Sequence, residues 1–299
     1  MKEPVRRSKL EKRNARNFYI YISPWLLGFL VLTVYPMISS LYLSFTNTVL
    51  SGGSSFIGFQ NFVHAFTVDT QFWISFQNTV CYVLLFVPLS LIISFFLGWL
   101  LSQKIRGLRW FRTIFYIPYI TAGVAITILW GWIFNGNYGL INYLLSVLGI
   151  RGPDWLGDKN LALICIVVMS LWSIGNNVVI MLAGIQDIPV SYYESAQIDG
   201  ASTFRQIRSI TLPLSTPTIY FNLIIGVIFS FQLFNQPYIL TQGGPVDATR
   251  TVSMVIFQNA FQFSRMGYAS SVAWTLFVVI MAFTLLIQLS SRKWVFYDD

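Results

Sequence analysis

Two groups of residues in this 299-residue chain have types and spacings suited to molecular recognition, and none has those of a catalyst. The first group is neutral: Trp172, Asn176 and Asn177, then Ser230, Gln232, Phe234 and Asn235, all inside apolar sequence. Amides and hydroxyls can bond a solute's hydroxyls and rings can stack on its apolar faces, without the cost of a buried charge. The plainer role for such residues is bridging helices, at about 0.6 kcal/mol each. The second group lies in the segment 185–217, IQDIPVSYYESAQIDGASTFRQIRSITLPLSTP. Ser191 and Glu194 fit an S-x-x-E capping box, which predicts a helix from near Tyr192. Gly200 permits a sharp turn. Ser202 can cap a second helix over 203–211, with Phe204, Ile207 and Ile210 at helical spacing and exposed, and Pro213 and Pro217 ending it. A helix–Gly–helix loop showing apolar residues to water suits a partner's groove. The alternative, a helix lying on the membrane surface, fits poorly with the acidic Asp187, Glu194 and Asp199.

Catalytic and metal chemistry are not expected. The single histidine, His64, has no companion ligands. Cys81 and Cys165 sit in apolar stretches without CxxC spacing and read as small buried hydrophobes. No G-x-x-x-x-G-K-[ST] phosphate loop occurs, so no nucleotide site is assigned to this chain.

The elements that must hold both groups are membrane helices. Hydrophobic residues make up 55% of the chain and charged ones only 10%, far below the roughly 25% of a soluble domain. Six charge-free stretches, 17–68, 70–103, 113–150, 160–186, 209–246 and 266–291, each reach the length of about 20 residues that a spanning helix needs. Helices are predicted near 19–45, 73–101, 113–134, 161–184, 218–240 and 268–290; the ten-residue alternation of a β-barrel is missing. No ionisable residue falls within a predicted span, which disfavours proton coupling. The shorter stretch 251–264, TVSMVIFQNAFQFS, is expected to lie at the membrane interface or to meet an external protein. Pro24, Pro36, Pro88 and Pro118 are expected to bend spans.

Fifteen Lys and Arg fall on one side of this arrangement and four on the other, which places both termini in the cytoplasm. The net charge of +8 is thus a positive-inside bias rather than a nucleic-acid surface. The chain divides into a basic cytoplasmic tail (1–17), a first span (18–45), an external connector (46–72), a core (73–290) holding the cytoplasmic 185–217 loop, and a short cytoplasmic tail (291–299). The first apolar segment is too long for a signal-peptide core and is taken as a retained span.

Glu194-Ser195-Ala196, three residues, Gly200, nine residues, then Ile210-x-Leu212-Pro213 resembles the E-A-A-x3-G-x9-I-x-L-P signature of the membrane subunits of binding-protein-dependent ABC importers. The one departure, Ser195 for the second Ala, is small for small. The strings IDGAS, TLPLSTP, LTQGGPVDATRT, GYASSVAWTLF and, more weakly, FIGFQNF resemble the carbohydrate-uptake, maltose-type branch. The resemblance covers nearly the whole chain and implies an all-α polytopic membrane protein, six transmembrane helices in a type I ABC importer permease fold, in a cell membrane. It implies that Glu194, Ser195, Ala196, Asp199, Gly200, Ile210, Leu212 and Pro213 couple to a cytoplasmic ATPase, and that the fourth and fifth spans line the pathway. The implied partners are a second homologous permease subunit, two ABC ATPases that use ATP and Mg, an external solute-binding protein and a di- or oligosaccharide. The chain itself would bind no cofactor. An ion-coupled transporter, an importer of a polyol or glycerol phosphate, and a docking scaffold remain open.

Overall fold

The computed structural model describes residues 9–49, 52–103, 107–121 and 123–296. It is helical apart from one isolated antiparallel bridge, Thr46 with Phe56. Lys2, Arg6, Arg7, Lys104 and Arg106, on which the orientation argument draws, lie outside the described residues.

Helices α1 (Lys9–Phe29) and α2 (Tyr35–Ser44) are joined through a π-helical turn, Leu30–Val34, two residues ahead of Pro36. A proline ring crowds the carbonyl four residues back and donates no hydrogen bond. The wider turn makes room, and the Tyr35 N–H reaches Leu30 O instead. The connector carries α3 (Gln60–Thr67), and Asp69 caps α4 (Thr70–Ser102) by accepting from the Gln71 and Phe72 N–H groups at 2.8 and 3.2 Å. Helices α5 (Leu108–Ile120), α6 (Gly123–Ile133) and α7 (Leu140–Val147) follow, then α8 (Ala162–Trp172) and α9 (Gly175–Gln186). The 185–217 segment holds α10 (Val190–Ile198), α11 (Thr203–Gln206), a second π-helical turn (Ile207–Thr211) and α12 (Leu212–Leu214). The chain continues through α13 (Thr216–Phe231), α14 (Asn235–Leu240), α15 (Val252–Phe257), a third π-helical turn (Gln258–Gln262) and α16 (Met266–Ser291).

Among the described residues, four helical runs are long and apolar enough to cross a membrane: Asn17–Ser44, Thr70–Ser102, Thr216–Leu240 and Met266–Ser291. Two bent pairs complete up to six spans if each pair counts as one. Trp110–Ile120 meets Gly123–Ile133 at 97°, and Ala162–Trp172 meets Gly175–Gln186 at 49°. The expected third span, with a bend anticipated at Pro118, and the expected fourth span, with none anticipated, are both broken into two helices. The expected fifth span is interrupted as well, at Gln232–Phe234 between α13 and α14.

Helix α4 is central, packing on α8, α9, α13 and α15. Phe72, Val83 and Val87 meet Val227 and Phe231 of α13, Val252 and Val255 of α15, and Val272 and Leu276 of α16 in the largest core cluster. Burial of side chains of this size contributes about 1.5–3 kcal/mol each. At Gly184 the backbones of α9 and α13 approach so closely that a Cβ would overlap the Thr218 side chain. The 251–264 segment corrects its expectation. Val252, Met254 and Val255 are fully buried, so its first turns form core rather than interface; only the end, with Phe261 and Phe263, is exposed.

Candidate functional sites

The 185–217 loop follows the end of α9 and lies beside the end of α4. Helix α10 ends in a Schellman motif: the Gly200 N–H bonds Gln197 O at 3.0 Å and the Ala201 N–H bonds Ala196 O at 2.8 Å. This closure requires a left-handed residue, and Gly200 has φ +73°. Ser202 caps α11 by accepting from the Arg205 N–H at 3.4 Å. Tyr193 Oη and Thr211 Oγ1, 3.0 Å apart, tie α10 to the π-helical turn, and Gln206 Nε2 donates to Ala201 O at 3.0 Å.

Three local expectations change. The capping box does not form: α10 starts at Val190 after Pro189, which supplies no side-chain bond, and Glu194 is exposed without a hydrogen bond or ion pair among the described residues. Pro213 and Pro217 do not end the helical run but sit at the second positions of α12 and α13; as at Pro36, the π-helical turn ahead of Pro213 makes room for the ring, with the Leu212 N–H reaching Ile207 O. Of the three apolar residues read as exposed, only Phe204 is; Ile207 packs against the cluster of Phe95, Met181 and Ile185, and Ile210 is half-buried. The apolar residues facing water are instead Val190, Tyr192, Ile198, Phe204 and Leu212, with Ile198 87% exposed. Ser195, Asp199 and Gly200 are exposed beside them, and Ala196 and Pro213 are half-buried.

The second site is a cleft of about 530 Å³ within the apolar body. Six of the seven neutral residues singled out above line it: Asn176, Asn177, Ser230, Gln232, Phe234 and Asn235. Trp172 does not. It turns away, 57% exposed, edge-on to Trp130 at 6.0 Å and beside an apolar hollow formed with α4 and α5. The 49° bend between α8 and α9 separates it from Asn176, which one straight helix would have set a single turn away. Tyr82, Phe86, Tyr119, Ser170, Ser173 and Gln236 also line the cleft. The weak signal for them was polar or aromatic character inside apolar spans, a property shared by many residues elsewhere.

Two of the helix breaks, between α8 and α9 and between α13 and α14, open onto this cleft. At one, α9 begins at Gly175 with no side-chain cap, leaving its first N–H groups without intrahelical partners. At the other, α13 ends at Gln232, whose side chain donates back to Ile228 O at 3.0 Å. Ser230 Oγ, in the wall, is buried without a partner. Among the described residues no Asp, Glu, Lys, Arg or His lines the cleft, and those that do line it offer amide, hydroxyl and ring contacts. Among the described residues no cluster of potential metal ligands occurs.

Residues 87–295 match the family model described as binding-protein-dependent transport system inner membrane component. The chain is 40% identical over 301 residues to the probable ABC transporter permease protein YesP of Bacillus subtilis, covering 99% of this chain and 97% of that one. It is 32% identical to the trehalose/maltose transport system permease protein MalF of Thermococcus litoralis, covering 93% and 94%. A chain of the bacterial alginate ABC transporter crystallised with an alginate pentasaccharide-bound periplasmic protein shares the fold. Its TM-score is 0.84 at 24% identity, over 96% of this chain and 98% of that one.

Proposed function

The chain belongs to the family of binding-protein-dependent transport system inner membrane components, and on that premise we propose that it is the permease subunit of an ATP-driven importer of a di- or oligosaccharide. It forms half of a six-plus-six-span pathway in a cell membrane with both termini cytoplasmic. A second permease subunit completes the pathway, an external binding protein delivers the sugar, and two cytoplasmic ATPases supply ATP and Mg chemistry. The observation that carries the sugar reading is the neutral cleft at two helix breaks, lined by amides, hydroxyls and rings. Broken spans that offer backbone polar groups mid-membrane are the physical basis of many transporter sites. A relative described as a trehalose/maltose system permease supports the same substrate class.

Energy enters through the loop. Glu194, Ser195, Asp199 and Gly200 sit among exposed Val190, Ile198 and Phe204, giving a mixed surface of apolar side chains and an unpaired carboxylate. A groove on each ATPase takes this surface, with Ala196, Ile210, Leu212 and Pro213 fixing its shape. ATPase closure then tilts the attached spans and alternates access to the cleft.

The test is uptake into vesicles containing the complete transporter, using a panel of radiolabelled gluco-, galacto- and arabino-saccharides of one to four units, with glycerol phosphate and a polyol as comparators. Saccharide uptake that needs ATP and survives ionophores supports the proposal. Uptake driven by an ion gradient without ATP, or no ATPase copurifying with the chain, defeats it.

A further inference from the structure

Four aromatic rings run in unbroken contact from the cleft wall to the protein surface. Phe234 lines the cleft, and Tyr238 stacks on it with centroids 4.9 Å apart and planes 19° from parallel. Phe257 touches both, at 5.0 and 5.4 Å. Phe261 lies 5.3 Å beyond Phe257 and is 63% exposed. The series consists of two i,i+4 pairs, so helical periodicity keeps each pair in register.

The frame under these rings is stiff. Thr251 Oγ1 donates to Leu233 O at 2.8 Å, and the Val252 N–H donates to Thr79 Oγ1 at 3.1 Å. Asn78 Nδ2 clamps Asp247 O and Arg250 O at 2.7 and 3.0 Å, and Arg250 pairs with Asp247 at 2.8 Å. The core uses the other face of α15, through Val252 and Val255. Phe261 therefore contributes little to packing, yet it extends the row of rings outward. A hydrophobic ring exposed at the end of an ordered row that leads into a hydroxyl-binding cleft has the form of a stacking path for sugar rings.

We propose that Phe261, Phe257, Tyr238 and Phe234 form a track on which an oligosaccharide steps from the outer face into the cleft. The proposal rests on the sugar reading above. It predicts a dependence on chain length, since a longer saccharide occupies more rings at once than a short one.

The experiment compares initial uptake rates by the reconstituted transporter, with its external binding protein, for the longest and shortest members of the saccharide series that the wild type carries. Phe261→Ala is expected to slow the longest member about fivefold, the factor that one aromatic stacking contact represents. The shortest member should change less than twofold, Phe261→Trp should restore the rate, and Phe257→Ala should repeat the pattern. The partner permease and ATPases should copurify in wild-type ratio. Unchanged rates, an equal loss on both saccharides, or a series in which only one length is carried would each overturn the track. An equal loss accompanied by weakened copurification would assign the rings to a subunit interface. If the wild type carries no saccharide at all, the sugar reading falls and the track with it.

Discussion

The 185–217 loop and the mid-span cleft are built in opposite ways. The loop compresses its determinants into about twenty residues: a helix, a left-handed glycine, a capped second helix and exposed apolar side chains. The cleft draws its lining from α4, α5, α8, α9, α13 and α14, with more than 150 residues between Tyr82 and Gln236. The loop presents a bare carboxylate among exposed apolar side chains, whereas the cleft's described lining is uncharged. A surface that must fit a separate protein depends on local backbone shape. A cavity that must hold a neutral solute depends on where helices stop.

The largest effect that would sharpen this contrast is at Gly200. A Cβ there meets nothing within 4 Å, so the cost of Gly200→Val is the left-handed backbone, about 1–2 kcal/mol, rather than a clash. Membrane yield should be unchanged. Substrate-stimulated ATP hydrolysis and uptake should fall at least about tenfold as the turn between α10 and α11 reorients. Wild-type hydrolysis in that variant would break the assignment of the loop.

Cleft variants should behave differently. Asn176→Ala or Asn177→Ala removes amide contacts of about 0.5–1.5 kcal/mol each. Uptake should drop roughly three- to tenfold, with basal ATP hydrolysis intact, as measured in proteoliposomes. Parallel losses of basal hydrolysis would merge the two regions into one function.

The smallest effect is expected at Trp172. Its ring lies outside the cleft and is more than half exposed, so Trp172→Phe should alter uptake by less than about twofold. A loss as large as that of Asn176→Ala would mean that the bend between α8 and α9 does not hold Trp172 away during transport.

These differences also explain what could be read in advance. Gly200, Ser202 and the helix–turn–helix follow from local rules, and charge-free length locates the apolar helices. Glu194 defeats the same kind of rule: Ser191 and Glu194 have capping-box spacing, but Pro189 opens the helix two residues early and leaves the carboxylate free. Trp172 and Asn176 share one apolar stretch, yet the bend at Ser173–Ile174 sends them to different surroundings. Nothing in composition marks that bend. The buried face of α15 was hidden for a related reason, because a short apolar segment has the same composition at an interface and in a core.

The second π-helical turn has a mechanical consequence. From Thr203 to Phe231 the backbone stays in helical or turn geometry, and at Ser215 it is bonded on both sides, its N–H to Thr211 O at 3.0 Å and its carbonyl to the Ile219 N–H at 2.9 Å. There is no slack segment to absorb a push on the loop. A displacement of the loop would enter α13 at Thr216 and emerge at Ser230 and Gln232, on the cleft. The sixteen residues of α13 span about 24 Å, so a tilt of about 10° moves the far end by about 4 Å. The helix is thus a rigid lever joining the 185–217 loop to the cleft.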